Sequence, residues 1–281
     1  MEKITSPQNP KIKNLLLLQE KSRARKEQGL FVVEGRREIE HCVEAGYRIH
    51  TLFVCNEIAE SFLSAGVGQN FFEHFSGEKV LVREGENDSA NIIEITPELY
   101  RKVAYRESTE GVIAEVEYKV LSLEDLRLPE KPLIVVLEAV EKPGNLGAVL
   151  RSADAAGADA VIICDPLTDL YNPNLIRASI GAIFTVPTVA ASSDDVIDFL
   201  KSRGIAILTA QLQDSSLYYD TDMTRGTAIV MGTESTGLTD KWRRAADAHI
   251  RIPMLGRLDS LNVSVSAAIL LFEAVRQRQN L

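Results

Sequence analysis

From residue 133 to the end of the chain, short uninterrupted apolar runs alternate with amphipathic stretches, and this alternation narrows the fold more than any other feature. The runs are LIVVLEAV (133–140), ADAVIIC (158–164), GIAILTAQL (204–212), TAIVMG (227–232) and HIRIPM (249–254). A strand that is apolar on both sides has to be covered on both faces, which a parallel sheet achieves with crossover helices. The helices expected between the strands are NLGAVLRSADAAG, NPNLIRASIGAIF, SDDVIDFLKSRG and TDKWRRAADA. The pattern predicts an α/β domain with a parallel sheet over 133–281, closed by a last helix within LNVSVSAAILLFEAVRQR.

Upstream, LFVVEG, REIEHCVEAG and YRIHTLFVCN read as strand, helix and strand. KVLVR (79–83) and GVIAEVEYK (111–119) follow as strands around the helical ITPELYRKVAYRES. This predicts a smaller α/β domain over 1–119. It is led by SPQNPKIKNLLLLQEKSRARKEQG, a proline-punctuated segment and one helix ending at Gly29. LSLEDLRLPEKP, with Pro129 and Pro132, reads as a linker over 120–132.

Composition constrains the partners. The longest apolar runs are too short and too interrupted to span a bilayer, and the N-terminal LLLL lacks a cleavage signal, so a cytoplasmic protein without membrane contact is expected. Cys42, Cys55 and Cys164 are scattered, without the spacing of a disulfide framework or a zinc site, and read as small core residues. The net charge is −9, yet residues 1–37 hold nine Lys/Arg against four Glu, a local +5. Lys11, Lys13, Arg23, Arg25 and Arg36 are therefore candidate phosphate contacts; the other reading is a solvated helix face.

Ligands of parallel α/β sheets gather at the carboxyl ends of the strands, so chemistry is sought in the loops there. In EKPGNLGAVLR, Pro143 and Gly144 make a turn and Asn145 sits where an N-cap belongs, with Arg151 six residues on. The turn has two readings, a structural cap or a phosphate-holding helix start, and Arg151 favours the second. In GTESTGLT, Gly232 and Gly237 flank Glu234, which suits either the start of a helix or close backbone approach to a flat ligand. In DSLNVSVS, Ser260, Asn262, Ser264 and Ser266 alternate with Leu and Val ahead of the last helix. One such residue suffices for capping, and the surplus suggests a surface that holds something polar. No histidine lies near these loops except His249 within a strand, which argues against a Ser-His-Asp hydrolase. No metal-ligand spacing is present, and neither nucleotide-binding fingerprint appears. Such a site works mainly by positioning its substrates.

Together, PGNLGAVLRSADAAG, VMGTESTGLT and IPMLGRLDSLNVSVSAAILLFEAVRQR resemble, in order and spacing, the three signature motifs of the SpoU (TrmH) RNA 2′-O-ribose methyltransferases of the SPOUT superfamily. LIRASIGAIFTVP is similar to that family too, and SPQNPKIKNLLLL with FVVEG resembles its ribosomal-protein-L30e-like substrate-binding domain. The resemblance implies an α/β catalytic domain with a trefoil knot over 133–281, a homodimer formed through the knot, and an RNA-binding domain over 1–119. It implies methyl transfer from S-adenosylmethionine to a ribose 2′-hydroxyl of structured RNA, ribosomal RNA first and transfer RNA as the alternative. By position, Asn145, Arg151, Glu234, Ser260 and Asn262 match the family's active-site set, and Ala210, Gly232, Ile252, Met254 and Leu261 match its cofactor contacts. Arg151 is the family's candidate for activating the 2′-hydroxyl; gripping the adjacent phosphate is an equal reading, because a guanidinium stays protonated. The sequence departs from the pattern at Glu141-Lys142 before the PGN and at Thr109-Glu110-Gly111. A noncatalytic RNA-binding or ribosome-assembly protein on the same fold is the second hypothesis.

Overall fold

The computed structural model describes residues 2–59, 91–105, 110–233, 236–257 and 260–279. The chain forms two compact units, Met1–Lys119 with Leu170–Arg177, and Val120–Asp169 with Ala178–Leu281.

In the first unit a five-stranded sheet has the order β1-β4-β3-β5-β2, with β1 (Glu2–Ile4), β2 (Leu30–Glu34), β3 (Ile49–Val54), β4 (Asn91–Ile95) and β5 (Val112–Glu117). β3 runs parallel to β4 and antiparallel to β5, which also pairs antiparallel with β2. Helices α1 (Pro10–Glu20), α2 (Ser22–Gln28), α3 (Arg36–Glu44) and α4 (Pro97–Val103) accompany it. Asn9 caps α1 by accepting from the Lys11 amide at 2.9 Å, and Pro10 suits the first turn because its missing N–H would have no helical partner. Ile12, Leu15 and Leu18 form the buried face of this helix, packed with Phe53, Ile95 and Tyr100.

The single helix expected before Gly29 is two, broken where Lys21 takes an extended conformation (φ −109°, ψ 110°). Arg25 explains how the break is held: its buried guanidinium donates to the carbonyls of Leu18 at 2.6 Å and Gln19 at 3.2 Å, satisfying the end of α1. β1 and β4 were not expected, being short segments beside prolines. KVLVR (79–83) lies outside the described residues. Leu170–Arg177 joins this unit through Tyr171, whose ring stacks on Phe31 at 4.2 Å and lies 4.5 Å from Tyr118. Its hydroxyl donates to the carbonyl of Lys119.

The second unit holds a seven-stranded sheet, parallel in every pairing, in the order β10-β12-β9-β11-β6-β7-β8. The strands are β6 (Leu133–Glu138), β7 (Ala160–Cys164), β8 (Thr188–Ala191), β9 (Ala206–Ala210), β10 (Ser216–Leu217), β11 (Thr227–Met231) and β12 (Ala248–Arg251). The five expected strands are present, shorter at their ends; β8 and β10 are additional. The helices are α5 (Pro143–Ala155), α6 (Pro173–Ser179, which runs on from the first unit), α7 (Ala182–Thr185), α8 (Ser193–Ser202), α9 (Asp240–Ala245) and α10 (Val263–Gln279). On one face Ile134, Val136, Ile162, Ile207 and Val230 pack with Leu200 and Trp242. α10 lies against α5 and β11. The stretch expected as a linker contributes to this core, burying Leu123 and Leu126.

Arg278, near the end of α10, donates to the carbonyls of Met223, Lys131, Pro132 and Arg225 at 2.8–3.0 Å. These four bonds fix the C-terminal end of the last helix. Trp242 donates through Nε1 to Ser193 at 3.1 Å, and Ser193 donates to Asp165 at 2.6 Å, tying α9 to α8 and the end of β7. All three cysteines are buried with free thiols, and burial pushes those of Cys42 and Cys164 far above their usual range, so they behave as core residues.

Gly147 sets the position of α5. A Cβ there would stand 2.5 Å from the Cβ of Ala178 and 2.8 Å from the amide nitrogen of Ser179, closer than atoms pack. Gly147→Ala should therefore lower stability by about 1–3 kcal/mol, read as a lower urea midpoint at unchanged slope; a midpoint equal to that of the parent would mean the helix is free to shift.

Candidate active site

The strand order makes the site. β12, β9, β11 and β6 are adjacent and parallel, so the chain leaves all four at the same edge of the sheet. The segments after Ala210, Met231, Arg251 and Glu138 therefore emerge side by side, and these hold the three motifs singled out in the sequence.

The deciding contact is between two asparagines 117 positions apart: Asn262 Nδ2 donates to Asn145 Oδ1 at 3.1 Å. Asn262 is also the cap of α10. Its Oδ1 accepts from the Ser264 amide at 3.0 Å and from the Ser264 hydroxyl at 2.6 Å. One amide side chain thus satisfies the helix start with its oxygen and joins the first motif with its nitrogen. Asn145 itself is not an N-cap, as the sequence suggested. Lys142 holds that position and Pro143 begins the helix, so Asn145 falls in the first turn, where its side chain serves the cross-link.

A cleft opens beside this pair, lined by Ala210, Ile252, Met254, Ser260, Leu261 and Ser266 among others. Four of the five expected cofactor-contacting residues line it. Gly232 does not. The space where its Cβ would stand is filled by its own loop, with the Gly237 carbonyl oxygen 2.2 Å from that point. The loop is closed by a bridge between Thr233 and Gly237, and Thr233 Oγ1 accepts from the Thr236 amide at 3.1 Å. The bareness of Gly232 is thus required by the turn. Glu234 lies outside the described residues. The far end of the turn is held by Glu138, a buried carboxylate that accepts from the Thr239 amide at 2.8 Å and its hydroxyl at 2.7 Å.

Arg151 is exposed on α5, six residues beyond Asn145. At 1.5 Å per residue this is about 9 Å along the axis, and six residues turn it about 120° round the helix. Arg251, Gln211 and Leu270 also line the cleft and were not anticipated. The signal was present for Arg251, which alternates with the buried Ile250 on the same strand.

The basic residues of the first unit divide. Lys13 is exposed, Lys11 pairs with Glu2 at 2.5 Å, and Arg23 pairs with Glu27 at 2.6 Å at highly exposed positions. Arg36 is largely covered and pairs with Glu40 at 3.0 Å. Arg25 is a correction: buried and committed to backbone carbonyls, it is a structural residue and not an RNA contact. Among the described residues no group of three or more His, Cys, Asp or Glu side chains is placed to hold a metal ion. No helix among them is long and apolar enough to cross a membrane.

Comparison with known proteins agrees with this geometry. A profile of the SpoU rRNA Methylase family matches residues 132–272, half of the chain and nearly all of the second unit. The chain belongs to the SpoU rRNA methylase family. The SpoU segment contains Asn145, Arg151, Asn262 and the residues lining the cleft, and an MRM3-like substrate binding domain matches residues 9–114 ahead of it. The 23S rRNA (uridine(2479)-2′-O)-methyltransferase of Streptomyces viridochromogenes is 32% identical, covering 89% of this chain and 84% of its own length. The Bacillus subtilis 23S rRNA (guanosine(2553)-2′-O)-methyltransferase RlmP is 26% identical over 97% of this chain and 98% of its own. Among solved structures, an RNA 2′-O ribose methyltransferase superposes with a TM-score of 0.79 at 37% identity, covering 99% of both chains. The AdoMet-bound rRNA methyltransferase of Sinorhizobium meliloti gives 0.83 at 27% identity, over 98% of this chain and 97% of its own.

The two roles of Asn262 can be separated. Asn262→Ser keeps an oxygen able to cap the helix but is too short to reach Asn145, so the melting temperature should stay near that of the parent, whereas Asn262→Ala should cost about 1 kcal/mol. Equal loss in both variants would assign the stability to the cross-link.

Proposed function

We propose that this SpoU family member transfers the methyl group of S-adenosylmethionine to a ribose 2′-hydroxyl of ribosomal RNA. The observation that carries the reading is the Asn262–Asn145 hydrogen bond beside the cleft of Ala210, Ile252 and Leu261. It brings the polar start of the last helix and the first motif to one edge of the sheet. The cleft suits the cofactor. Its walls of Ala210, Leu212, Ile252, Met254 and Leu261 match a flat purine, and the hydroxyls of Ser260 and Ser266 add polar partners. When bound there, S-adenosylmethionine supplies an electrophilic methyl carbon on a positively charged sulfur.

The chain's own residues then have to align the ribose oxygen and help its proton leave. The paired amides of Asn145 and Asn262, the latter next in sequence to Leu261 of the cleft wall, orient the sugar. The always-protonated guanidinium of Arg151 makes a poor base; it grips the neighbouring phosphate and stabilises charge developing on the oxygen. Alignment of this kind accounts for much of the acceleration that methyl transfer needs, because it removes the entropic cost of bringing two reactants together. Glu234 belongs to the same proposed set.

Residues 1–119 are the proposed RNA-binding domain, consistent with the profile over 9–114 and the exposed Lys13 and Arg23. We infer further that the second unit carries the trefoil knot and dimerises through it, in the cytoplasm. Support for the dimer comes from Val265 and Phe272, seven residues apart on α10 and each about half exposed (47% and 48%). Two large apolar groups on one helical stripe ask for a cover.

Mass spectrometry of ribosomal RNA from a deletion strain should show one ribose methyl missing; an unchanged modification map contradicts the reading. Arg151→Ala should lower the methyl-transfer rate by about a hundredfold or more while calorimetry with S-adenosylhomocysteine shows unchanged affinity. Loss of both would make the residue structural. Lys13→Ala with Arg23→Ala should weaken RNA binding and flatten its dependence on salt by roughly one unit of slope per lost phosphate contact, and Arg25→Ala should instead lower the melting temperature. Phe272→Asp should yield a monomer in sedimentation if α10 forms the dimer contact; an unaltered dimer would place the interface elsewhere.

A further inference from the structure

Next to the cleft of Ala210 and Leu261 lies a second opening, wider at about 460 Å³ against 140 Å³. Its walls are Leu212, Leu217, Pro253 and Met254, together with Arg251 and Arg257. The two openings share Leu212, Arg251, Ile252 and Met254, so Arg251 stands on the partition between them. It ends β12, and its Nη1 donates to the Ser215 hydroxyl at 3.4 Å, a long bond that leaves most of the guanidinium fork unused. Arg257 is exposed at the outer edge.

Charge makes this opening unusual for the molecule. The chain carries nine more acidic than basic groups, yet two guanidinium groups flank one opening with no carboxylate among its described lining residues. Among the described residues neither arginine has an ion-pair partner. Guanidinium groups left unpaired over an apolar floor are suited to phosphate, which they bind in a two-pronged geometry, while the floor accepts a sugar or base. The cofactor's carboxylate is the weaker match. That molecule also carries an ammonium and a sulfonium, and Arg257 lines only the wider opening.

We propose that this second opening carries the RNA strand flanking the methylated ribose, with Arg251 and Arg257 each holding a backbone phosphate. The inference rests on the reading that the substrate is RNA. It makes Arg251 a substrate-binding residue set between cofactor and strand, so that the ribose is presented to the cleft from the side of Met254.

Arg251→Ala, Arg251→Lys and Arg257→Ala test it in the full-length protein. Three readings are needed: filter binding to unmodified 23S ribosomal RNA made by transcription in vitro, calorimetry with S-adenosylhomocysteine, and sedimentation. A lost charge-assisted hydrogen bond corresponds to roughly ten- to hundredfold weaker RNA binding, with the logarithmic salt slope reduced by about one for each alanine. Arg251→Lys should recover part of the affinity. In Arg257→Ala, whose side chain lines only the wider opening, affinity for S-adenosylhomocysteine and the sedimentation coefficient should match those of the parent. Three results would overturn the proposal: RNA binding unchanged in both alanine variants, a loss confined to S-adenosylhomocysteine, which assigns Arg251 to the cofactor carboxylate, or a shift in oligomeric state, which assigns the opening to a second copy. Arg257→Ala guards against misfolding, since its side chain supports no other described group. Failure of the parent protein to bind S-adenosylhomocysteine at all would strike the methyltransferase reading itself.

Discussion

One side chain with two obligations organises the site. A helix that starts at a sheet edge exposes amide groups that need acceptors, and the residue supplying one cannot wander. Asn262 meets that need with its oxygen and spends its nitrogen on Asn145. The start of α10 is thereby registered against the start of α5, and those two helices also pack along their lengths. At its other end α10 is pinned by Arg278 to four backbone carbonyls. Between these anchors Ser266 and Leu270 face the cleft. A helix held at both ends offers a rigid wall, and rigidity is what a site that works by alignment requires.

Much of the fold was legible because its strongest signal is chemical. Four of the five expected strands of the second unit are buried nearly throughout and announce themselves as apolar runs, since a sheet covered on both faces favours apolar residues on both. What escaped follows the same logic. β8 and β10 lie at the two edges of that sheet, where pairing on one side relaxes the demand for continuous apolarity, and β10 is only two residues long. The break at Lys21 left no mark either, because its cause is Arg25, a residue that looks like surface charge until its burial is known. The tyrosine that brings Leu170–Arg177 into the first unit was equally silent: Tyr171 acts through partners more than fifty positions away.

The site was legible in membership more than in role. Ala210, Ile252, Met254, Ser260 and Leu261 do line one cleft, and Asn145 and Asn262 do meet. Their convergence follows from strand order, which no local pattern encodes. Gly232 has a structural cause the sequence did not show: the space where its Cβ would stand is taken by the turn that folds back from Gly237, which leaves its backbone as the part able to meet a ligand. Beyond its alternation with Ile250, Arg251 gave no signal of its place: an ordinary-looking charge at a strand end stands on the wall of two openings.

Catalysis here requires that the paired asparagines mark the place where sulfur meets sugar. A crystal structure of the protein soaked with S-adenosylhomocysteine measures this directly. The purine should lie against Ile252 and Leu261, with the sulfur facing the Asn145–Asn262 pair. A ligand bound elsewhere, or the two amides separated with the cleft occupied, would contradict it.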